Sequence, residues 1–108
     1  MSWDIWLKTE LDGHEVSVWG GRNYTHNCNR MIRDAGLPEW PYSVEGWRAG
    51  ELYERLDEVI ANLVANPKKY QAMDPPNGWG SYDTLIPAIR EVRDQCQKYP
   101  SAIVGMSA

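Results

Sequence analysis

The spacing of apolar residues changes along this chain, and that change constrains the fold more than any other feature. At the N-terminus apolar and polar side chains alternate, with Trp3, Ile5 and Leu7 on one side, as in a half-buried strand. Asp12-Gly13 favours a tight turn, because both residues tolerate positive φ. The alternation resumes after this turn, so a β-hairpin is predicted over residues 3–19.

Apolar residues recur at helical spacing through the middle of the chain. They predict a helix over about 25–35, a longer helix that ends near Asn66, and a last helix that begins after Ser81. A short helical turn is expected over 67–73. Pro87 falls inside the last helix, so either that helix kinks or its regular part begins near the proline. The longer helix has an apolar face of six residues: Leu52, Leu56, Val59, Ile60, Leu63 and Val64.

An extended apolar segment, residues 102–106, ends the chain and predicts a short strand. Strands therefore gather at the two ends of the sequence and helices occupy its middle. The simplest packing is a single α+β domain over 1–108, in which the hairpin and the C-terminal strand form a small antiparallel sheet against three or four helices. The last strand is expected to pair beside the first.

Composition excludes several classes of function. The 108 residues carry a formal charge of −4 with both signs interspersed, which disfavours a direct DNA or RNA binder. No apolar run reaches membrane length and no signal peptide is visible, so no membrane association and a cytoplasmic location are expected. Buried thiols are favoured over a disulfide for Cys28 and Cys96.

The sequence contains no recognisable catalytic motif. Zinc needs three or four suitably spaced ligands, and only His26 and Cys28 lie close among the two histidines and two cysteines. Gly20-Gly21 lacks the lysine of a phosphate-binding loop. No metal, no cofactor and no enzymatic activity are expected. A small hydrolase that uses His26 as a general base is the least favoured alternative.

Two polar segments are candidate ligand-binding elements. Asn23-Tyr24-Thr25-His26-Asn27 stands where a strand meets a helix, and Asn77-Gly78-Trp79-Gly80 is a loop with glycines on both sides of an indole. Each segment has a second interpretation, because the first can be a helix cap and the second a tryptophan that seals the core. The candidate ligand-binding residues are Arg22, Asn23, Tyr24, Thr25, His26, Asn27, Asn77, Trp79 and Tyr82.

The chain has six tryptophans and no phenylalanine, and three of the six stand among prolines and glycines. Two of these three lie in the connection 37–47. Trp40, Tyr42 and Trp47 are candidate anchors for a protein partner or for self-assembly, because interface hot spots are enriched in Trp and Tyr. The alternative is that the loop tryptophans fill a thin core.

Four segments resemble a group of small uncharacterised proteins of actinobacteria and their bacteriophages. They are Asn-Tyr-Thr-x-Asn at 23–27, Pro-x-x-Tyr-x-x-Met at 67–73, Asn-Gly-Trp-Gly-x-Tyr at 77–82 and Cys-x-x-x-Pro at 96–100. Asp74-Pro75-Pro76 departs from the usual Asn-Pro-x of the group, and Pro87 is also atypical. The resemblance implies a phage or prophage accessory protein that acts inside a bacterial cell, and it implies no mechanism.

These features favour a non-enzymatic accessory protein that sequesters a small polar or nucleotide-like ligand, for example in counter-defence. A base would stack on Trp79, while Arg22 and the helix N-terminus would face a phosphate. The alternative is a protein–protein interaction module that contacts a host protein or forms a homo-oligomer through its loop tryptophans.

Overall fold

Three antiparallel strands form one sheet in the order β2-β1-β3, in a computed structural model that describes residues 1–108. The C-terminal strand pairs with the first strand, as predicted, and the predicted α+β fold is confirmed. The elements are β1 (Ser2–Leu11), β2 (His14–Thr25), α1 (Asn29–Ala35), α2 (Ala49–Ala65), α3 (Pro67–Gln71), α4 (Tyr82–Lys98) and β3 (Ile103–Ser107).

The second strand runs to Thr25, six residues past the predicted end of the hairpin. Its pairing with β1 shifts between Ile5 and Leu7, where β2 carries one extra residue. Gly21 stands at this bulge with φ of 107°, and a Cβ there would lie 2.5 Å from the carbonyl oxygen of Ile5. The Gly20-Gly21 pair therefore bends the strand instead of ending it.

The sheet has one covered face and one open face. Trp3, Ile5 and Leu7 are fully buried in the core together with the apolar faces of the helices. Asp4 and Trp6 alternate with them along β1 and therefore lie on the opposite face. The register along β1 thus decides which side chains this domain presents outside its core.

The two long helices pack against each other, and α2 follows its predicted apolar face with one exception. Val64, predicted to face the core, is 49% exposed, because it lies roughly 100° around the helix from the fully buried Leu63, at the edge of the buried face. None of the four helices combines the length and apolar character needed to cross a membrane.

The last helix is continuous through Pro87, so the alternative in which regular helix begins near that residue is wrong. Ser81 accepts a hydrogen bond from the Thr84 amide at 3.2 Å, and the Ser81 amide donates to the Thr84 hydroxyl at 3.0 Å. This capping box starts the helix ahead of the proline. Pro87 lies on the exposed side, where water can satisfy the carbonyl that loses its partner.

Both cysteines are free and buried, as predicted. Desolvation by burial raises the pKa of the Cys28 thiol, and it raises the pKa of Cys96 to about 12. Both side chains therefore pack as small apolar groups in the protonated form.

Candidate functional site: a polar groove beside Trp79

The two polar segments of the sequence meet at one groove of about 630 Å³. It opens at the end of the sheet where β2 runs into the 3-10 turn His26–Cys28. The loop 74–80 forms its other wall. Seven residues line it: Met1, Ser2, Asn23, Thr25, Asn27, Asn77 and Trp79.

Gly80 explains why the loop lies against the end of β2 and the 3-10 turn that follows it. Its φ is 85°, and a Cβ there would lie 2.6 Å from Thr25 Cγ2 and 3.0 Å from the Tyr24 hydroxyl. Only a residue without a side chain permits this approach in this backbone conformation. The approach sets the width of the groove, because it brings the residues next to Gly80 up to the end of β2.

The backbone of Trp79 is held from both sides by asparagine side chains. Asn27 Nδ2 donates to the Trp79 carbonyl at 3.2 Å, and the Trp79 amide donates to Asn77 Oδ1 at 3.0 Å. The Trp79 side chain is nevertheless 72% exposed. The loop thus fixes the position of the indole and leaves its surface to solvent.

The floor of the groove comes from paired positions of β1 and β2. Asn23 Nδ2 donates to Ser2 Oγ at 3.0 Å and to Asp4 Oδ1 at 3.2 Å. Thr25, opposite Ser2, accepts from the Asn27 amide at 3.3 Å. Sequence reasoning missed Ser2 and Asp4. The alternation of side chains along β1 could have indicated them, because it places Ser2 and Asp4 on the face opposite to Trp3 and Ile5.

Tyr24 and Tyr82, two of the predicted ligand-binding residues, are buried and do not line the groove. The Tyr24 hydroxyl lies 2.7 Å from Thr84 Oγ1 and accepts from the Ser81 amide at 3.2 Å, and burial raises its pKa. The Tyr82 hydroxyl donates to the Leu63 carbonyl at 2.6 Å. Tyr24 therefore holds the end of the loop at Ser81 from within the core, whereas Tyr82 joins the start of α4 to α2.

Arg22 does not lie at the groove, so the prediction that it faces a bound phosphate there is wrong. Its Nη1 is 2.7 Å from Glu91 Oε2 on α4. Arg22 pairs with Ile5, whereas Asn23 pairs with Asp4, and alternation along β2 sends neighbouring side chains to opposite faces. The arginine is thus engaged by a carboxylate on the covered side of the sheet.

His26 lies in the 3-10 turn ahead of α1, where it is half-buried and does not line the groove. Its Nε2 is shielded from solvent and has no hydrogen-bond partner, while its backbone amide donates to the Met1 carbonyl at 3.1 Å. No carboxylate engages the ring as an orienting partner of a general base would. No group of three or more His, Cys, Asp or Glu side chains is placed to hold a metal ion.

The candidate interaction residues of the 37–47 connection divide in the structure. Trp40 is fully buried and packs edge-on against Trp3 at 5.2 Å between ring centroids, so it offers no surface to a partner. Trp47 is half-buried, with the Arg55 guanidinium 5.9 Å from its ring. Tyr42 is 60% exposed and borders a second concavity of about 480 Å³.

The structure therefore brings together five of the nine predicted ligand-binding residues: Asn23, Thr25, Asn27, Asn77 and Trp79. They present an indole, three carboxamides and a hydroxyl, which can stack on a ring and exchange hydrogen bonds with polar substituents. No protein-family model, curated protein or solved structure matches this chain.

Proposed function

We propose that this protein is a non-enzymatic binding module that holds a small polar, ring-bearing ligand in the groove beside Trp79. The observation that carries the proposal is the contrast within Trp79. Its backbone is fixed by two asparagine side chains, while its indole is 72% exposed.

The exposed indole of Trp79 lacks the stabilisation by burial that Trp3 and Trp40 obtain in the core. Stacking of an aromatic side chain on a planar ligand recovers about 1–3 kcal/mol per ring. A pre-positioned ring also loses less conformational entropy when a ligand binds. The amide groups around it add orientation, because each can donate and accept hydrogen bonds.

The setting we propose is that of a phage-type accessory protein in a bacterial cell, where capture of a small polar or nucleotide-like molecule would counter a host defence. The resemblance supports this setting. Two of the segments that carry it, 23–27 and 77–82, contain the two walls of the groove. Sequestration requires a site and no catalytic group.

Native mass spectrometry of the protein purified from bacterial cells tests this function. We expect an adduct of small-molecule mass in the wild-type protein and its loss in Trp79→Ala. Tyr42→Ala is the matched control, because it removes an exposed aromatic ring outside the groove. An adduct that survives Trp79→Ala, or one that Tyr42→Ala removes equally, would place the ligand elsewhere.

A second candidate function is a protein contact at Tyr42. Its exposed ring lies beside a concavity that is also lined by Arg33, Pro38, Glu39 and Ser43. Tyr and Arg are favoured at interface hot spots. If this surface forms a homo-oligomer, light scattering will show a mass above that of one chain, and Tyr42→Ala will reduce it. A monomer at every concentration would exclude self-assembly.

A further inference from the structure

We propose that the binding site continues from the groove along the open face of the sheet to Trp6, and that its occupant is a neutral oligosaccharide. This inference rests on the proposed function, since it extends the site that Trp79 begins. Trp6 would be the second stacking platform, and the polar side chains between the two indoles would bind the sugar hydroxyls.

Gly105 lies next to the Trp6 indole on β3. It pairs with Trp6 across the sheet, and a Cβ on Gly105 would lie 2.2 Å from both Cε2 and Nε1 of the indole. The Trp6 ring therefore lies directly over the neighbouring strand. The φ of Gly105 is not in the left-handed region, so its backbone would accept a side chain. The glycine provides the space in which the indole lies flat.

Trp6 is not part of the hydrophobic core. It is half-buried and does not pack against the buried cluster that contains Trp3 and Trp40. Its Cβ would also be 3.0 Å from a Cβ on Gly21, so a glycine of β2 flanks it on the other side. Glycines therefore stand next to Trp6 on both adjacent strands, so neither of these two positions covers the indole with a side chain.

A continuous polar strip joins Trp6 to the groove. Asp4 lies between Trp6 and Ser2 on the same face of β1, and Asn23 bridges Asp4 to Ser2. Trp6 lies four residue steps along extended strand from Ser2, which corresponds to roughly 13 Å. A ligand that stacks on Trp6 and also enters the groove is therefore longer than a single sugar ring.

The charges along this strip favour a neutral ligand. None of the seven residues of the groove has an ionisable side chain. Asp4 is the acidic side chain between the two indoles, and a carboxylate there would repel a phosphate. Lys8, beyond Trp6, is 3.1 Å from Glu15, and Arg22 is bound by Glu91. The side-chain cations of Lys8 and Arg22 are thus each already paired with a carboxylate.

Sugar hydroxyls match the hydrogen-bonding groups that remain. Each hydroxyl both donates and accepts, and so do the carboxamides of Asn23, Asn27 and Asn77. A carboxylate such as Asp4 accepts from two neighbouring hydroxyls at once. The C–H face of a pyranose is apolar and flat, so it packs on an indole while its rim of hydroxyls reaches polar side chains.

Calorimetric titration with maltotetraose, chitotetraose and mannotetraose, each compared with AMP, tests the inference. We expect at least one tetrasaccharide to bind with an affinity that salt does not change, and AMP to bind more weakly. Trp6→Ala should weaken that tetrasaccharide by roughly tenfold, which corresponds to about 1.4 kcal/mol. The same variant should leave the affinity of the matching monosaccharide for the groove unchanged.

Gly105→Ala supplies a second variant, because its methyl group would push the Trp6 indole off the sheet. We expect a similar loss of affinity, and no further loss when Gly105→Ala is added to Trp6→Ala, since the two changes remove the same platform. Gly20→Ala is the matched control: it lies on the same sheet with open space around its Cβ and no positive φ.

The outcomes separate this inference from the proposed function. Binding of AMP but of no tetrasaccharide, with loss in Trp79→Ala, would overturn the oligosaccharide and leave the function intact. Failure of all four compounds to bind would also overturn it. A tetrasaccharide whose affinity ignores Trp6→Ala would overturn the extension along the sheet, and one that ignores Trp79→Ala would contradict the proposed function itself.

Discussion

At the scale of single residues, the site depends on two glycines that act for different reasons. Gly78 and Gly80 both have positive φ, of 74° and 85°, so each position strains any other residue. Around Gly78 the space is open, whereas a Cβ on Gly80 would collide with Thr25, Tyr24 and Cys28. Substitutions at the two positions therefore separate the effect of backbone strain, which both share, from the effect of the close contact at Gly80.

We therefore expect Gly78→Ala to lower the free energy of unfolding by about 1 kcal/mol, from backbone strain alone. Gly80→Ala should cost at least about 1 kcal/mol more, because the loop must also move away from the end of β2. Urea denaturation of the two variants measures this difference. Equal losses would mean that the loop does not depend on the contact at Gly80.

Sequence reasoning reached the residues of the loop but could not tell which tryptophans point outward. Trp40 and Trp79 both stand beside proline or glycine. Trp40 enters the core, where it packs on Trp3, and Trp79 does not. That choice depends on contacts with residues far away in sequence, which local pattern does not encode. The same limit applies to Arg22, whose partner Glu91 lies on α4.

At the scale of elements, the capping box of α4 joins the last helix to the loop of the groove. Ser81 and Thr84 exchange hydrogen bonds at the start of the helix. The Tyr24 hydroxyl accepts from the Ser81 amide and lies 2.7 Å from Thr84 Oγ1. Ser81→Ala should lower the free energy of unfolding by about 1 kcal/mol, the usual value of a lost N-cap. Ser101→Ala, at an exposed serine without such a bond, is the control. Chemical denaturation decides, and equal stability of the two variants would exclude a stabilising cap.

Element types followed from periodicity, but some element boundaries did not. The amphipathic pattern of α2 and the alternation of β1 each identify a buried face without knowledge of a partner. A glycine pair such as Gly20-Gly21 ends a strand or makes a bulge, and the choice depends on the strand opposite. The effect of Pro87 also depends on its surroundings, because a helix tolerates an internal proline when its cap and its packing on both sides are strong enough.

At the scale of the whole molecule, buried ionisable groups make the fold sensitive to alkali. Burial raises the pKa of Tyr24 and of Cys28, and it raises the pKa of Cys96 to about 12. In the unfolded chain these thiols ionise near pH 9, so above that pH the folded state retains protons that the unfolded state loses. The stability is present below pH 9 and falls as pH rises from about 9 towards 12.

We therefore expect the melting temperature to decline above pH 9, and to decline less steeply in Cys96→Ala than in the wild-type protein. The variant should be less stable at neutral pH, because it loses the buried sulfur. Differential scanning calorimetry across this pH range provides both slopes. Parallel curves would show that Cys96 ionises equally in the folded and unfolded states.

The sheet with helices on one face also determines where a ligand can approach. The core uses Trp3 and Trp40, whereas Trp6 lies on the open face and Trp79 at its end. The sequence predicted the α+β class from the order of its patterns. It did not predict the open face, because the assembly of β1, β2 and β3 brings those residues together only in three dimensions.

The most direct test of this account compares thermal unfolding of Trp79→Ala with that of Trp40→Ala. We predict that Trp40→Ala loses about 3–5 kcal/mol of unfolding free energy, as for a large core side chain. Trp79→Ala should stay within about 0.5 kcal/mol of the wild-type protein, as for an exposed surface position. A loss at Trp79 as large as that at Trp40 would show that its indole is part of the core, and would contradict a ring held out for a ligand.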